Sequence, residues 1–249
     1  MESDVRLSAR VAARFRLTAL SVTREGSRFT EYSGRVDYVR AIEALIPGAR
    51  GQVLSALTLD TSTRTLRQVA LAAGVSWSQT ALVIDDLCHL GIVERRQTPG
   101  ATLIRLAPGN VVVAMLQLLT DLRSPAIDAL RRAADGLAPA PLSLTLFGSF
   151  ARGEARRDSD VDVVAVHRSG LGAEDSDGDR WSESLGRWVE VATSITGNQV
   201  NLIDLGDDEL RTGPKPPEWL HEAAKKGVTL AGRPLAELLA EKTTRQQRA

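Results

Sequence analysis

The sequence predicts an α+β protein built from two modules, a helical one ending in a wing-like hairpin and a mixed-sheet one. Three observations predict it. Residues 38–90 carry apolar side chains at helical spacing and are followed by a hairpin signature. Residues 142–205 switch to the short alternating and apolar runs of strands, broken by one helical stretch. Between them lies Gly136-Leu137-Ala138-Pro139-Ala140-Pro141, where proline removes backbone donors and restricts the preceding residues, so a module boundary is expected there.

Charge divides at the same place. Residues 1–139 carry 17 basic and 13 acidic side chains, and residues 140–249 carry 14 and 18, so the whole chain has no net formal charge. That balance excludes a uniformly basic nucleic-acid coat and an acidic solvating tail. A single cysteine, Cys88, excludes an internal disulfide framework and a cysteine-rich zinc site. No apolar run approaches the roughly 20 residues needed to span a bilayer, and MESDVRLSAR has no apolar core of a secretory leader. A cytoplasmic protein without a membrane partner is expected.

In order along the chain, residues 1–36 place Arg6, Arg10, Arg14 and Arg16 in an Ala/Leu/Val background and read as an N-terminal extension. Residues 38–46 and 51–59 read as helices separated by Pro47-Gly48. A third helix covers 65–73, with Leu66, Val69, Ala70 and Ala73 on one stripe and Gly74 as its left-handed stop. Ser76 is the expected N-cap of a helix over 77–90 that buries Ala81, Ile84, Leu87, Cys88 and Leu82. Residues 92–96 and 102–106 read as strands joined through Thr98-Pro99-Gly100. Residues 111–137 read as linker helices packed through Met115, Leu116 and Leu119. Such helices often pair subunits, so a homodimer is expected.

Helix, helix, Gly-containing turn, helix and hairpin, over residues 48–108, resemble a winged helix-turn-helix. The resemblance implies that the 77–90 helix presents Trp77, Ser78, Gln79 and Thr80 to a DNA or RNA groove, while Arg95, Arg96 and Arg105 reach phosphates. Against this stand Asp85 and Asp86 and the lack of any Lys or Arg in that helix. A dimerisation or scaffold module is the other reading.

The second module opens with a strand, Leu142 to Leu146, that runs into Phe147-Gly148-Ser149-Phe150-Ala151-Arg152-Gly153. Gly148 allows a sharp bend and a close approach to a ligand. Ser149 offers a hydroxyl and an N–H to phosphate oxygens. A second strand begins Asp160-Val161-Asp162, and two acids two residues apart on extended chain face the same side. Their repulsion is relieved by a divalent cation, Mg²⁺ or Mn²⁺, with carboxylate oxygens as ligands. Residues 170–180 read as an exposed loop whose acids lack the closing Glu of a calcium loop. Residues 180–196 read as a helix burying Trp181, Leu185, Trp188 and Val189. A strand over 199–205, a helix between Pro216 and Gly227, and a frayed tail after Leu239 complete the chain.

Gly148-Ser149, ten residues, then Asp160-Val161-Asp162 resembles the signature of the nucleotidyltransferase superfamily related to DNA polymerase β, in particular its minimal members. Ala151-Arg152-Gly153 and Ser159 agree with the same families. The resemblance covers about residues 140–205 and implies a mixed sheet flanked by helices. It implies that Gly148, Ser149, Arg152 and Ser159 bind the nucleotide, and that Asp160 and Asp162 are catalytic and hold the metal. It implies a reaction in which an NTP gives NMP to a hydroxyl and pyrophosphate is released. Small nucleotidyltransferases and winged-helix proteins also recur in bacterial toxin–antitoxin pairs, usually as separate chains.

One position departs from the pattern. Active members carry a third acid on a later strand, and the matching position here is Asn201. An amide cannot accept a proton as a carboxylate does. Asp204 lies three residues on, hence on the opposite face of a regular strand. Two functions stay open: a nucleotidyltransferase slowed by Asn201, and a transcription regulator whose weak transferase domain senses a nucleotide.

Overall fold

A computed structural model describes residues 35–169, 176–212 and 217–246. The expectation for residues 1–34 lies outside the described residues, as does most of the 170–180 loop. The chain forms two compact units, Val36–Ser124 and Pro125–Ala249, with Arg35 belonging to the second.

The first unit contains α1 (Ala41–Leu45), α2 (Ala49–Leu59), β1 (Arg64–Thr65), α3 (Leu66–Ala73), α4 (Trp77–His89), β2 (Val93–Thr98), β3 (Ala101–Leu106) and α5 (Val111–Leu118). Local chemistry sets these boundaries. Thr65 and Gln68 form a reciprocal capping box at the start of α3. Gly74 ends α3 at φ 65°, and the Ser76 side chain accepts from the Gln79 N–H to begin α4. Gly100 turns the β2–β3 hairpin at φ 89°, and β1 adds to its other side in the order β1-β3-β2. Val53, Leu57, Val69, Ile84, Leu87 and Ile104 fill the core.

Two packing expectations are corrected here. The buried stripe of α4 is Thr80, Val83, Ile84 and Leu87, so Leu82 points outward at 69% exposure. In α5, Leu116 is buried as expected, whereas Met115 lies on the outer side with Val111 and Leu118.

The second unit contains α6 (Arg123–Ala134, joined at its first turn to the first unit), β4 (Ser143–Phe147), α7 (Gly148–Arg152), β5 (Val161–His167) and α8 (Ser176–Thr196). It continues with β6 (Val200–Gly206), α9 (Asp207–Thr212), α10 (Glu218–Lys226), β7 (Val228–Gly232) and α11 (Leu235–Gln246). The division therefore falls at Ser124, not at residues 136–141. Ile127 and Leu130 of α6 are buried, Arg131 Nε donates to the Thr229 carbonyl at 3.4 Å, and Ala138 N donates to Ser184 Oγ at 3.1 Å. These contacts tie residues 125–141 to β7 and α8 of the second unit.

The sheet order is β6-β5-β4-β7. β4 runs antiparallel to β5 and β7, while β5 and β6 are parallel. A parallel pair needs a long crossover, which α8 supplies. Val161, Val163, Val164, Ala165 and Val166 are all fully buried, as expected of a central strand covered on both faces. On one face Val164, Val166 and Leu205 pack with Leu220, Ala223, Leu235 and Leu239 of α10 and α11. The other face meets α8, whose Trp181 lies against His167. The tail expected to fray after Leu239 continues as helix to Gln246.

Candidate nucleotide and metal site

The site forms where β4 gives way to α7, beside the first residues of β5. Phe147, the last residue of β4, stacks on Trp219 with centroids 5.6 Å apart, fixing the point from which Gly148 departs. Gly148 has φ +71°, a conformation costly for any side chain. Space gives a second reason for glycine. A Cβ at this position would overlap Asp162 Oδ2 and lie 3.3 Å from its carboxyl carbon. The carboxylate thus sits directly against the bare backbone of the turn. Ser149 follows, half-buried, and its carbonyl accepts from the Glu154 N–H at 2.9 Å as the short helix closes.

Asp160 and Asp162 share one face, as their spacing predicts. The register pairs Asp162 with Asn201 on the parallel neighbour β6. The Asn201 amide donates from one nitrogen to both acids, to Asp160 Oδ2 at 3.2 Å and to Asp162 Oδ1 at 3.3 Å. Two oxygens from different carboxylates thus converge on one atom. Arg35 Nη1 donates to the other oxygen of Asp160 at 3.4 Å and to the Asp158 carbonyl at 3.5 Å. The donor set is all oxygen and anionic, which suits a hard cation such as Mg²⁺ or Mn²⁺. The groups already drawn onto it, an amide N–H and a guanidinium, are those a concentrated negative charge attracts. Among the described residues no group of three or more His, Cys, Asp or Glu gathers, so the site rests on two carboxylates.

Ser159 and Arg152, both expected to bind nucleotide, have partners within the protein. The Ser159 hydroxyl accepts from the Arg156 N–H at 2.9 Å, and the Ser159 carbonyl accepts from buried Asn198 Nδ2 at 2.8 Å. Ser159 closes the turn that delivers Asp160 to the site. Arg152, at the end of α7, is clamped between Glu154 at 2.8 Å and Glu222 at 3.6 Å. Its hydrogen bond to Glu154 raises its pKa further above the ordinary arginine value, and the charges of Glu154, Glu222 and Asp162 add to this. It contributes positive charge beside Asp162 while its hydrogen bond goes to Glu154 and its ion pair to Glu222.

Asp204 does not join the site. Trp181 Nε1 donates to its Oδ2 at 2.8 Å, and His167 Nε2 stands 3.9 Å from its Oδ1 on the α8 side of the sheet. Burial pushes its carboxyl above the usual range, and the Trp181 hydrogen bond opposes this only in part.

The residues expected to meet nucleic acid are only partly together. Trp77, Ser78 and Gln79 are exposed at the start of α4, with Trp77 at 60%. Thr80 is not available: it is fully buried and donates to the Ser76 carbonyl at 2.9 Å. Position 80 falls on the core stripe set by Val83, Ile84 and Leu87. Arg95 is paired with Asp85, and Arg105 with Glu94 at 2.6 Å, while Arg96 lies exposed on β2.

Sequence reasoning did not find Arg35, Asn198, Glu154 or Glu222. Arg35 lies 125 residues from the acid it touches, and no local pattern marks it.

Residues 127–204 match the family model for the nucleotidyltransferase domain. No curated protein matches the chain. Two solved structures resemble it at 18% identity. One is a toxin–antitoxin complex with AMP-PNP, in which the match covers 49% of this chain and 87% of the other, with a TM-score of 0.33. The other is a mutant of the toxin–antitoxin pair MntA-HpeT, covering 51% and 87%, with a TM-score of 0.30. From α6 through β6, the second unit thus carries a nucleotidyltransferase domain.

Proposed function

We propose that the protein binds a nucleoside triphosphate with a divalent cation and transfers its NMP group slowly to a hydroxyl acceptor. The observation that supports this most is that Asp160 and Asp162 lie on one face with Asp162 Oδ2 directly against the Gly148 turn. Asp160 and Asp162 would hold the cation, and the backbone at Gly148 and Ser149 would receive phosphate oxygens. Bound there, Mg²⁺ or Mn²⁺ would neutralise charge on the triphosphate. In the transfer an acceptor hydroxyl oxygen bonds to the α-phosphorus, the bond to the bridging α–β oxygen breaks, and pyrophosphate leaves. The hydroxyl proton passes to solvent, because Asn201 offers no basic oxygen. That missing base is why the transfer is slow.

The test is equilibrium dialysis and label transfer with a panel of α-labelled NTPs, in Mg²⁺ and in Mn²⁺. Binding that depends on the cation and vanishes in Asp160→Ala/Asp162→Ala is expected. Metal-independent binding, or binding that survives both substitutions, refutes the site.

A second reading is a nucleotide-sensing regulator in which the first unit is a winged helix-turn-helix. The exposure of Trp77, Ser78, Gln79 and Arg96 on α4 and β2 favours it. The domain would have to differ in nucleotide affinity between its free and DNA-bound states. DNA affinity that is unchanged by NTP with Mg²⁺ overturns that coupling.

A further inference from the structure

We infer that this site takes one divalent cation, and that Asn201 and Arg35 stand where a second would sit. The inference rests on the reading above that Asp160 and Asp162 hold the cation of a bound triphosphate. A paired-cation site, its ions about 3.5–4 Å apart, clamps both the attacking and the leaving oxygens. It needs anionic ligands from the protein in addition to the triphosphate's own oxygens.

Here the two acids are engaged asymmetrically. Asp162 Oδ2 faces the Gly148 turn, the side on which a triphosphate and its cation would enter. Asp162 Oδ1 and Asp160 Oδ2 accept from the Asn201 amide, and Asp160 Oδ1 accepts from Arg35. On the side away from the turn, the expected third carboxylate is therefore a neutral amide with its N–H₂ directed inward. A guanidinium stands beside it. Two carboxylates faced by a guanidinium leave the protein little net negative charge for a second dication, and Arg35 repels a further cation at a distance where Coulomb forces remain substantial even in a polar medium. Arg35 is about one-third exposed, so solvent weakens this repulsion without removing it.

The experiment uses the full chain with Mn²⁺ and α,β-methylene ATP, whose α–β bridge cannot be cleaved. Electron paramagnetic resonance separates an isolated bound Mn²⁺ from a coupled pair. Wild type should give one isolated ion per chain. Arg35→Ala should remain at one ion but bind it about 3–10-fold more tightly, as expected when a partly screened cation is removed. Arg35→Ala/Asn201→Asp should give the coupled signal of two. A coupled pair in wild type, or a single ion in the double variant with an unchanged circular dichroism spectrum, overturns the inference and leaves the proposed site intact. No bound Mn²⁺ in any form overturns both.

Discussion

Gly148→Ala separates two costs that a glycine at this turn can hide. The first is conformational. At φ +71° a residue with a Cβ is strained by about 1–2 kcal/mol. The second is spatial. The added carbon would force the Asp162 carboxylate to retreat by about 0.7 Å to reach the 3.0 Å separation that real Cβ atoms respect. Asp162 is held from the far side by the Asn201 amide, so its retreat disturbs the convergence of both acids. Gly74→Ala is the matched control: φ is +65° and nothing lies within 4 Å of the added carbon, so only the conformational cost applies. Gly74→Ala should lose about 1–2 kcal/mol in its unit, roughly 3–10 °C in Tm by scanning calorimetry, and Gly148→Ala at least as much in its own. Only Gly148→Ala should also weaken Mn²⁺-dependent binding of α,β-methylene ATP, by roughly 10–100-fold, since a misplacement approaching 1 Å is costly at a reacting centre. If Gly148→Ala binds the analogue as wild type does, the turn and the acids do not form one site.

Asn201→Asp should raise label transfer from NTP by at least about tenfold if the missing base limits chemistry, read as initial rate at saturating nucleotide. Asp204→Asn should flatten the pH dependence of stability just above the ordinary carboxylate range. The folded carboxyl keeps its proton to higher pH than the unfolded one, at 3.8, so stability falls as pH rises through that window, and urea melts between pH 4 and 7 would show the slope and its loss. Ser76→Ala should cost about 1 kcal/mol in the first unit by removing the acceptor for the Gln79 N–H, measured by urea denaturation. Light scattering at high concentration should show a dimer if the exposed α5 side chains Val111, Met115 and Leu118 pair copies of the chain; a monomer removes that expectation.

Much of the site was legible because its spacing is short-range. Gly148 and Ser149 follow one strand, Asp160 and Asp162 flank the first residue of the next, and alternation alone puts both acids on one face. The stop at Gly74 and the cap at Ser76 were equally local, so α3 and α4 fell close to their expected bounds. What the sequence hid was long-range. The clamp on Arg152 combines Glu154, two residues away, with Glu222 on α10, and the turn at Ser159 depends on buried Asn198. Thr80 misled because a threonine at a helix start reads as polar, whereas the i, i+3, i+4 and i+7 positions Val83, Ile84 and Leu87 carry it into the core. Strand β7 went unread because Val228–Gly232 is only five residues long and its pairing partner β4 lies more than 80 residues earlier.

Asp204 shows how a strand's two-residue period decides chemistry where composition cannot. β6 carries one amide and one carboxylate three positions apart, and either could have met the acids of β5. The register is unbroken from Val161↔Val200 to His167↔Gly206, so no bulge exchanges their faces. Asn201 therefore meets Asp160 and Asp162, and Asp204 is committed to the α8 side. Its surroundings there make it a poor substitute even in principle. His167 Nδ1 donates to the Arg168 carbonyl at 2.8 Å, which leaves Nε2 of a neutral ring without a hydrogen, facing a buried Asp204 oxygen that has no hydrogen-bond partner among the described residues. Two acceptors so placed repel unless one carries a proton. Asp204 thus belongs to the packing of α8 on the sheet, and the opposite face presents two carboxylates and an amide.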